Sequence, residues 1–208
     1  MPGGISLNVE GDVKAVLRSM SDVQKKIVPA VAASSLNTTA GELVKMAIKQ
    51  AARAARIPQK YIKYRYASDG TTKKARRIYV RKSGKAKARK LWTHIYTHPR
   101  DISWTSMGAK DSTRVQSGKR GRAGSGVSAP GGRRDRKAFI AASSRGGARL
   151  AWVRVPDVSG GQLVVKKAKV AGIIRAATDN VITRMGSAKF NAIFSAKLDA
   201  AFRRRGLS

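Results

Sequence analysis

The sequence predicts an α+β fold. A long N-terminal helix packs on a small antiparallel β-sheet, with C-terminal helices and a long basic loop insertion. Three observations predict it. Apolar residues recur every three or four positions from about residue 21 to 56. Residues 91–97 and 149–155 alternate with the period of two expected of strands. Between them, residues 108–137 hold nine Lys/Arg and seven Gly against two Asp, a composition with little to bury.

At the start, Ile5, Leu7 and Val9 alternate with Ser6, Asn8 and Glu10, giving a short strand that ends at Gly11. Asp12 then caps a helix with Val13, Val16, Leu17 and Met20 at helical spacing. A longer helix begins at Ser21-Asp22 and runs to about Arg56, with the stripe Leu36, Ala40, Leu43, Ala47, Ala51 and Ala54. Its thirty-odd residues would span about 50 Å, and a stripe this rich in alanine invites close packing. Pro29 sits too far in for the first turn, so it kinks the helix or marks its true start. Ile57-Pro58 stops it, and Pro58 opens a short helix through Tyr64.

Strands follow. Residues 77–81 are one candidate, and 91–97 a stronger one. There Leu91, Thr93, Ile95 and Thr97 face one way, while Trp92, His94, Tyr96 and His98 face the other. Residues 138–142 and 149–155 form a hairpin around Ser144-Arg145-Gly146-Gly147. In its second arm Leu150 and Trp152 share one face and Ala151, Val153 and Val155 the other. Neither face is polar, so both need cover, and a second subunit would supply what one short chain cannot. The same argument applies to Trp92 and Tyr96, so Trp92, Tyr96, Leu150 and Trp152 are the expected oligomer interface. Leu163–Val165 is a further strand. Val170, Ile173, Ile174, Ala177, Val181, Ile182 and Met185 mark a helix that stops at Gly186. Ser187 caps a last helix striped by Phe190, Ile193, Phe194, Leu198, Ala201 and Phe202. Arg203, Arg204 and Arg205 suit its C-terminal dipole, and Gly206 ends it.

A chain of 208 residues fits a single domain, 1–208, with the basic insertion at about 108–137. Its net charge of +33 and isoelectric point near 11.6 point to nucleic acid first, an acidic protein second and an anionic membrane third. Residues 71–100 alone carry eleven Lys/Arg and no acid. The candidate polyanion-binding residues are Lys73, Lys74, Arg76, Arg77, Lys85, Lys87, Arg89 and Lys90, then Arg114, Lys119, Arg120, Arg122, Arg133, Arg134 and Arg136. No base-reading motif accompanies them, so the expected contact is to the phosphate backbone. No apolar run approaches the roughly 20 residues of a membrane span, and no membrane partner is expected.

Chemistry is not expected. There is no cysteine to serve as thiolate or soft ligand. His94, His98 and Asp101 could be drawn as a metal site, but histidines four apart on a strand suit aromatic packing better than shared ligation. Neither a G-x-S-x-G nor a P-loop motif occurs, and the eleven acids are scattered singly. No catalytic residue, metal or cofactor is assigned.

Taken together, several of these segments resemble the lambda-type phage minor tail protein Z and tail completion family. The resemblance lies in the lead-in strand at 5–11 and the helix segment Ala32-Ala33-Ser34-Ser35-Leu36-Asn37-Thr38-Thr39-Ala40. It continues through Ile57-Pro58-Gln59-Lys60-Tyr61-Ile62-Lys63-Tyr64-Arg65, the basic glycine loop, Lys137-Ala138-Phe139-Ile140, the Trp-containing strand and Val164-Val165-Lys166. It implies a structural, non-enzymatic virion protein of the tail or neck, synthesised in the host cytoplasm. Such a protein completes the tail at its head-proximal end, joins it to the head and contacts the end of the genome. The implied partners are further copies in a hexameric ring, tail terminator and head–tail connector proteins, the tape measure protein and double-stranded DNA. A ribosomal or nucleoid protein binding nucleic acid as a monomer is the alternative, since such proteins also combine a small core with basic extensions.

Charge arithmetic constrains the ring reading. Six copies of a +33 chain would carry roughly +200, whereas duplex threading a ring about 40 Å tall presents only about 24 phosphate charges at one per ~1.7 Å. Most of the charge would have to face acidic proteins, solvent or packaged DNA.

Overall fold

The structure is a computed structural model and describes residues 3–8, 22–66, 73–81, 84–111, 126–142, 149–155 and 162–206. The architecture is α+β, as the sequence predicts. The chain groups into two compact units. One comprises Met1–Gln50, Ile78–His98 and Ile174–Ser208; the other comprises Ala51–Arg77 and Pro99–Ile173.

The first unit is built on helix α1 (Asp22–Ala55), a run of 34 residues. It starts well ahead of Pro29, which lies inside it and so does not mark the helix start. Leu36, Ala40, Leu43, Ala47 and Ala51 are all buried, as their spacing requires. Ala54 is exposed instead, and the stripe continues at Ala55, four residues after Ala51. In the core, Val28, Ala32, Ala33 and Leu36 pack with Ala86, Leu91 and Phe190, and with the partly buried Phe194, Leu198 and Phe202. Alanines on α1 leave room for those phenylalanine rings. Phe190 and Phe194 stack at 5.4 Å.

Those phenylalanines belong to one helix, Ala171–Arg203, of 33 residues. This corrects the expected pair of helices broken at Gly186. Gly186 is a buried interior residue of the helix. A helical glycine costs only about 1 kcal/mol relative to alanine, less than the packing of the apolar residues on both sides. Ser187 therefore caps nothing. Two polar ties reinforce the packing of this helix on α1. Lys197 Nζ donates to Ser34 O, Ser34 Oγ and Thr38 Oγ1, and Lys189 pairs with Glu42 at 2.8 Å.

A three-stranded antiparallel sheet completes this unit, with β5 (Trp92–Thr97) between β1 (Gly3–Asn8) and β4 (Ile78–Tyr79). Ile5 pairs with Ile95, and Ile78 with Thr97. Leu91, Thr93, Ile95 and Thr97 are buried, and Trp92, His94, Tyr96 and His98 half-buried, as the alternation predicts. Asn37 ties the preceding segment to α1 by exchanging two hydrogen bonds with the backbone of Ala86, at 2.9 and 3.0 Å. The expected end of β1 at Gly11 and the helix capped by Asp12 lie outside the described residues.

In the second unit, α1 ends at a left-handed Arg56, φ 51°. Ile57 N donates to Ala52 O and Arg56 N to Arg53 O, closing the helix with paired backbone bonds. Helix α2 (Gln59–Lys63) follows, directly after Pro58. A two-stranded ribbon, β2 (Tyr64–Tyr66) and β3 (Lys73–Arg76), comes next. The region expected as a loop insertion is partly a sheet of β7 (Lys110–Asp111), β8 (Val127–Ala129) and β9 (Arg133–Asp135). Gly126 allows it, since φ is +70° and a Cβ there would strike the Asp135 carbonyl.

The expected hairpin forms from β10 (Phe139–Ala142) and β11 (Arg149–Arg154), with Phe139 opposite Trp152. Leu163–Val165, the predicted short strand, is β12 and forms the edge of the same sheet. β6 (Ile102–Ser103) pairs with β13 (Lys167–Ala168), which leads into the last helix, α3. Asp101 Oδ1 accepts from Val170 N and Ala171 N, capping that helix from a distant loop.

Candidate polyanion-binding surfaces

The cations picked out by sequence separate into four groups. The first is structural. Arg77 is buried at 5% exposure, and its Nε donates to Tyr61 O and Tyr64 O while Nη1 donates to Arg100 O at 2.8 Å. Burial, and secondarily the charge of Arg65, pushes its pKa down to about 10, which leaves it protonated at neutral pH. Arg77 therefore braces the 61–64 segment against Arg100 and offers a polyanion no free face. This corrects its expected role. Arg133 is similarly engaged. Its guanidinium donates to Ala55 O at 2.6 Å, Arg56 O and Pro130 O, so it caps the C-terminal carbonyls of α1, where positive charge is favoured by the helix dipole.

The second group forms a tight basic turn. Lys87 and Lys90 exchange backbone hydrogen bonds of 2.8 and 2.9 Å, placing Ala88 and Arg89 at its tip. Lys85, Lys87 and Arg89 are exposed, while Lys90 Nζ lies 3.4 Å from the centre of the Trp92 ring. From there an aromatic ladder crosses the sheet. Trp92 meets His94 at 4.2 Å, His94 meets Tyr96 at 6.0 Å, and Tyr79 stacks on both Tyr96 and His98. Arg81 lies over Tyr79 and Tyr96. The two histidines thus take part in ring packing, and His98 Nε2 is hydrogen-bonded to the Tyr79 hydroxyl. Trp92 and Tyr96 stay half-exposed on this face.

The third group is in the glycine-rich region. Arg134 and Arg136 are exposed, whereas Arg114, Lys119, Arg120 and Arg122 lie outside the described residues.

The fourth group was only half legible. Lys73 and Arg76 are exposed on the β2–β3 ribbon, and the structure surrounds them with Lys60, Lys63, Tyr64, Arg65 and Tyr66, which sequence reading passed over as the end of a helix. A register shift between Arg65 and Tyr66 pairs Tyr64 with Arg76 and Tyr66 with Lys73, leaving Lys74 unpaired in the register. Lys63 and Lys73 each place Nζ about 5 Å from the centre of the Tyr64 ring, at 5.1 and 4.9 Å. Lys60 does the same over Tyr61 at 4.8 Å. A hydrogen bond from Lys63, then the charges of Lys63, Lys73 and Arg76, hold the Tyr64 hydroxyl below its usual pKa. The signal available in the sequence was the alternation Tyr64-Arg65-Tyr66 shortly before the basic stretch.

The remaining candidates, Leu150 and Trp152, share one face of the β10–β11–β12 sheet with Phe139 and Val165, all half-buried. Leu163 on the same sheet is 44% exposed and Val164 42%.

The described residues carry an α+β scaffold with dispersed basic surfaces and an apolar sheet face left partly open. Comparison with known families gives the class: the family model for prophage minor tail protein Z matches residues 10–205, and the chain belongs to that family of phage minor tail proteins, structural components of the virion. No curated protein and no solved structure matches it. No helix among the described residues is long and apolar enough to cross a membrane, and no cluster of three or more metal-ligating side chains occurs among them.

Proposed function

We propose that this chain is a tail-completion component at the head-proximal end of the tail, working as a homo-oligomeric ring that joins tail to head and touches the genome end through its basic surfaces. The observation that carries the reading is the surplus of cations, 44 Lys/Arg against 11 acids, on a chain of a phage tail family. A tail protein meets DNA where the genome is delivered into the tail, so a strongly basic member belongs at that end. The half-exposed face around Leu150 and Trp152, together with Trp92 and Tyr96, supports burial against further copies in a closed ring, six being the number that matches tail symmetry. Tail terminator and connector proteins, and the tape measure protein, are the neighbours this position provides, and acidic patches on them would take up charge that DNA alone cannot. No catalytic step is part of this role.

The test is a reconstruction of the intact particle, with the chain located by a fused tag. Density for a ring of copies at the head–tail junction supports the reading. A single isolated copy, or a location at the distal tip, overturns it.

A further inference from the structure

We propose that the β2–β3 ribbon, extended by α2, is the site that binds duplex nucleic-acid backbone, through Lys60, Lys63, Lys73 and Arg76 with the Tyr64 and Tyr66 hydroxyls as additional donors. This rests on the reading above that the chain contacts the genome, and it names the surface that does so.

The geometry is that of a built surface. In a regular antiparallel pair, residues two apart share a face, so Arg76 would share its face with residue 74. The register shift between Arg65 and Tyr66 instead brings Lys73 opposite Tyr66. Tyr64, Tyr66, Lys73 and Arg76 thereby share one face, the re-aiming of a side chain for which bulges are commonly used. The ribbon is held from behind by Arg77, which bonds the carbonyls of Tyr61 and Tyr64 through its side chain and that of Lys63 through its backbone N–H. Tyr66 packs edge-on against the buried Tyr61 at 5.3 Å. The cationic face is therefore fixed before any ligand arrives.

Two observations favour nucleic acid over an acidic protein. Lys60, Lys63 and Lys73 rest on tyrosine rings, and among the described residues none of Lys60, Lys63, Lys73 or Arg76 is paired with a carboxylate. The sequence places one acid, Asp69, in the connection between the strands. The shared face also carries no aliphatic side chain, only Lys, Arg and Tyr. Protein interfaces centre on apolar groups and are depleted of lysine there, whereas nucleic-acid interfaces are polar and strongly positive. Tyrosine hydroxyls, lysines and arginines are ordinary phosphate donors, and a two-stranded ribbon fits the width of a duplex groove.

The experiment measures anisotropy of a labelled 30-bp duplex on the full-length protein from 50 to 300 mM salt. It compares wild type with two variants of equal charge loss. One is Lys60→Ser/Lys63→Ser/Lys73→Ser/Arg76→Ser; the control is Arg184→Ser/Arg203→Ser/Arg204→Ser/Arg205→Ser, all exposed, on the last helix or in the turn that follows it. The ribbon variant should bind at least about tenfold more weakly than the control, with a log–log salt slope shallower by roughly 3 to 4, about 0.9 for each phosphate no longer neutralised. If wild type binds and the two variants weaken equally, the ribbon is not the site, while the genome-contact reading survives. If wild type fails to bind duplex at 50 mM salt, that broader reading falls and takes the site with it. If polyglutamate, charge for charge, displaces DNA from wild type and the ribbon variant loses affinity for both alike, the ribbon is an acidic-protein dock instead. Should the quadruple variant lose its circular-dichroism signal, Lys63→Ser and Lys73→Ser carry the test singly. About a threefold loss each supports the site, and none overturns it.

Discussion

Arg133 holds the end of the first long helix: its guanidinium donates to the Ala55 carbonyl at 2.6 Å, across 78 positions of sequence. The neighbouring Gly131 makes the approach possible, since φ there is +86° and a Cβ would run into the Arg56 carbonyl.

From this follows a division among the arginines of the glycine-rich region. Arg133→Ala should destabilise the protein by about 1–3 kcal/mol, because it leaves helix-terminal carbonyls without a charged donor. Gly131→Ala should cost a similar amount through strain and collision. Arg134→Ala and Arg136→Ala, both exposed, should shift the urea midpoint little. Equal midpoints for all four variants would remove Arg133 from the architecture.

Arg77 gives a sharper case. Arg77→Met removes donors from the Tyr61, Tyr64 and Arg100 carbonyls in a buried place, at about 1–3 kcal/mol for each carbonyl left dry. Arg77→Lys should be nearly as harmful, because an ammonium cannot reproduce the fork. A chemical denaturation midpoint within error of wild type for Arg77→Lys would contradict the bracing role.

Acid should loosen the second unit through Asp135. The Lys166 ammonium, at 2.6 Å, is the largest cause holding its carboxyl below the ordinary aspartate pKa, with backbone N–H donors adding to it. A depressed folded pKa contributes stability above the unfolded value, and that contribution is lost as pH falls through the folded one. Melting temperature should therefore drop as pH falls from about 4 downward, and Asp135→Asn should flatten part of that limb. An unchanged acid limb in Asp135→Asn would mean the pair contributes nothing to folding.

Assembly should depend on the open sheet face. Leu150→Glu/Trp152→Ser should leave a protein with wild-type circular dichroism that sediments as a smaller species, since only half-buried side chains are changed. A ring that survives the double variant would place the subunit interface elsewhere.

Replacing Arg114, Lys119, Arg120 and Arg122 by Ser, with Arg133 kept, should leave the melting curve in place while particles incorporate the protein poorly or lose DNA. Full infectivity would show that this charge is idle. A lowered melting temperature would show that it belongs to the fold.

The sequence was most readable where one periodicity dominated. The alternation from Leu91 to His98 gave both faces of β5, and the alanine stripe gave α1 almost to its end. Ala54 was misplaced because a step of three and a step of four after Ala51 both land on alanine. Gly186 was read as a stop because local propensity says so, while the apolar residues on both sides of it carried the helix through. The site was harder. A basic residue looks the same in sequence whether it faces solvent, like Arg76, or three backbone carbonyls, like Arg77. The ribbon face depends on a one-residue register shift, which no composition or period reveals.

The β7–β8 pairing has one more consequence. Lys110 lies opposite Ser128 and Asp111 opposite Val127, so the two ends of the 112–125 connection are held side by side at a single doorway. Chain length then sets a leash: out and back at ~3.4 Å per residue allows a reach of roughly 25 Å. Chain length thus bounds the backbone of Arg114, Lys119, Arg120 and Arg122 to that radius of the doorway, with their side chains reaching a little further, and inserting a few residues would widen the bound.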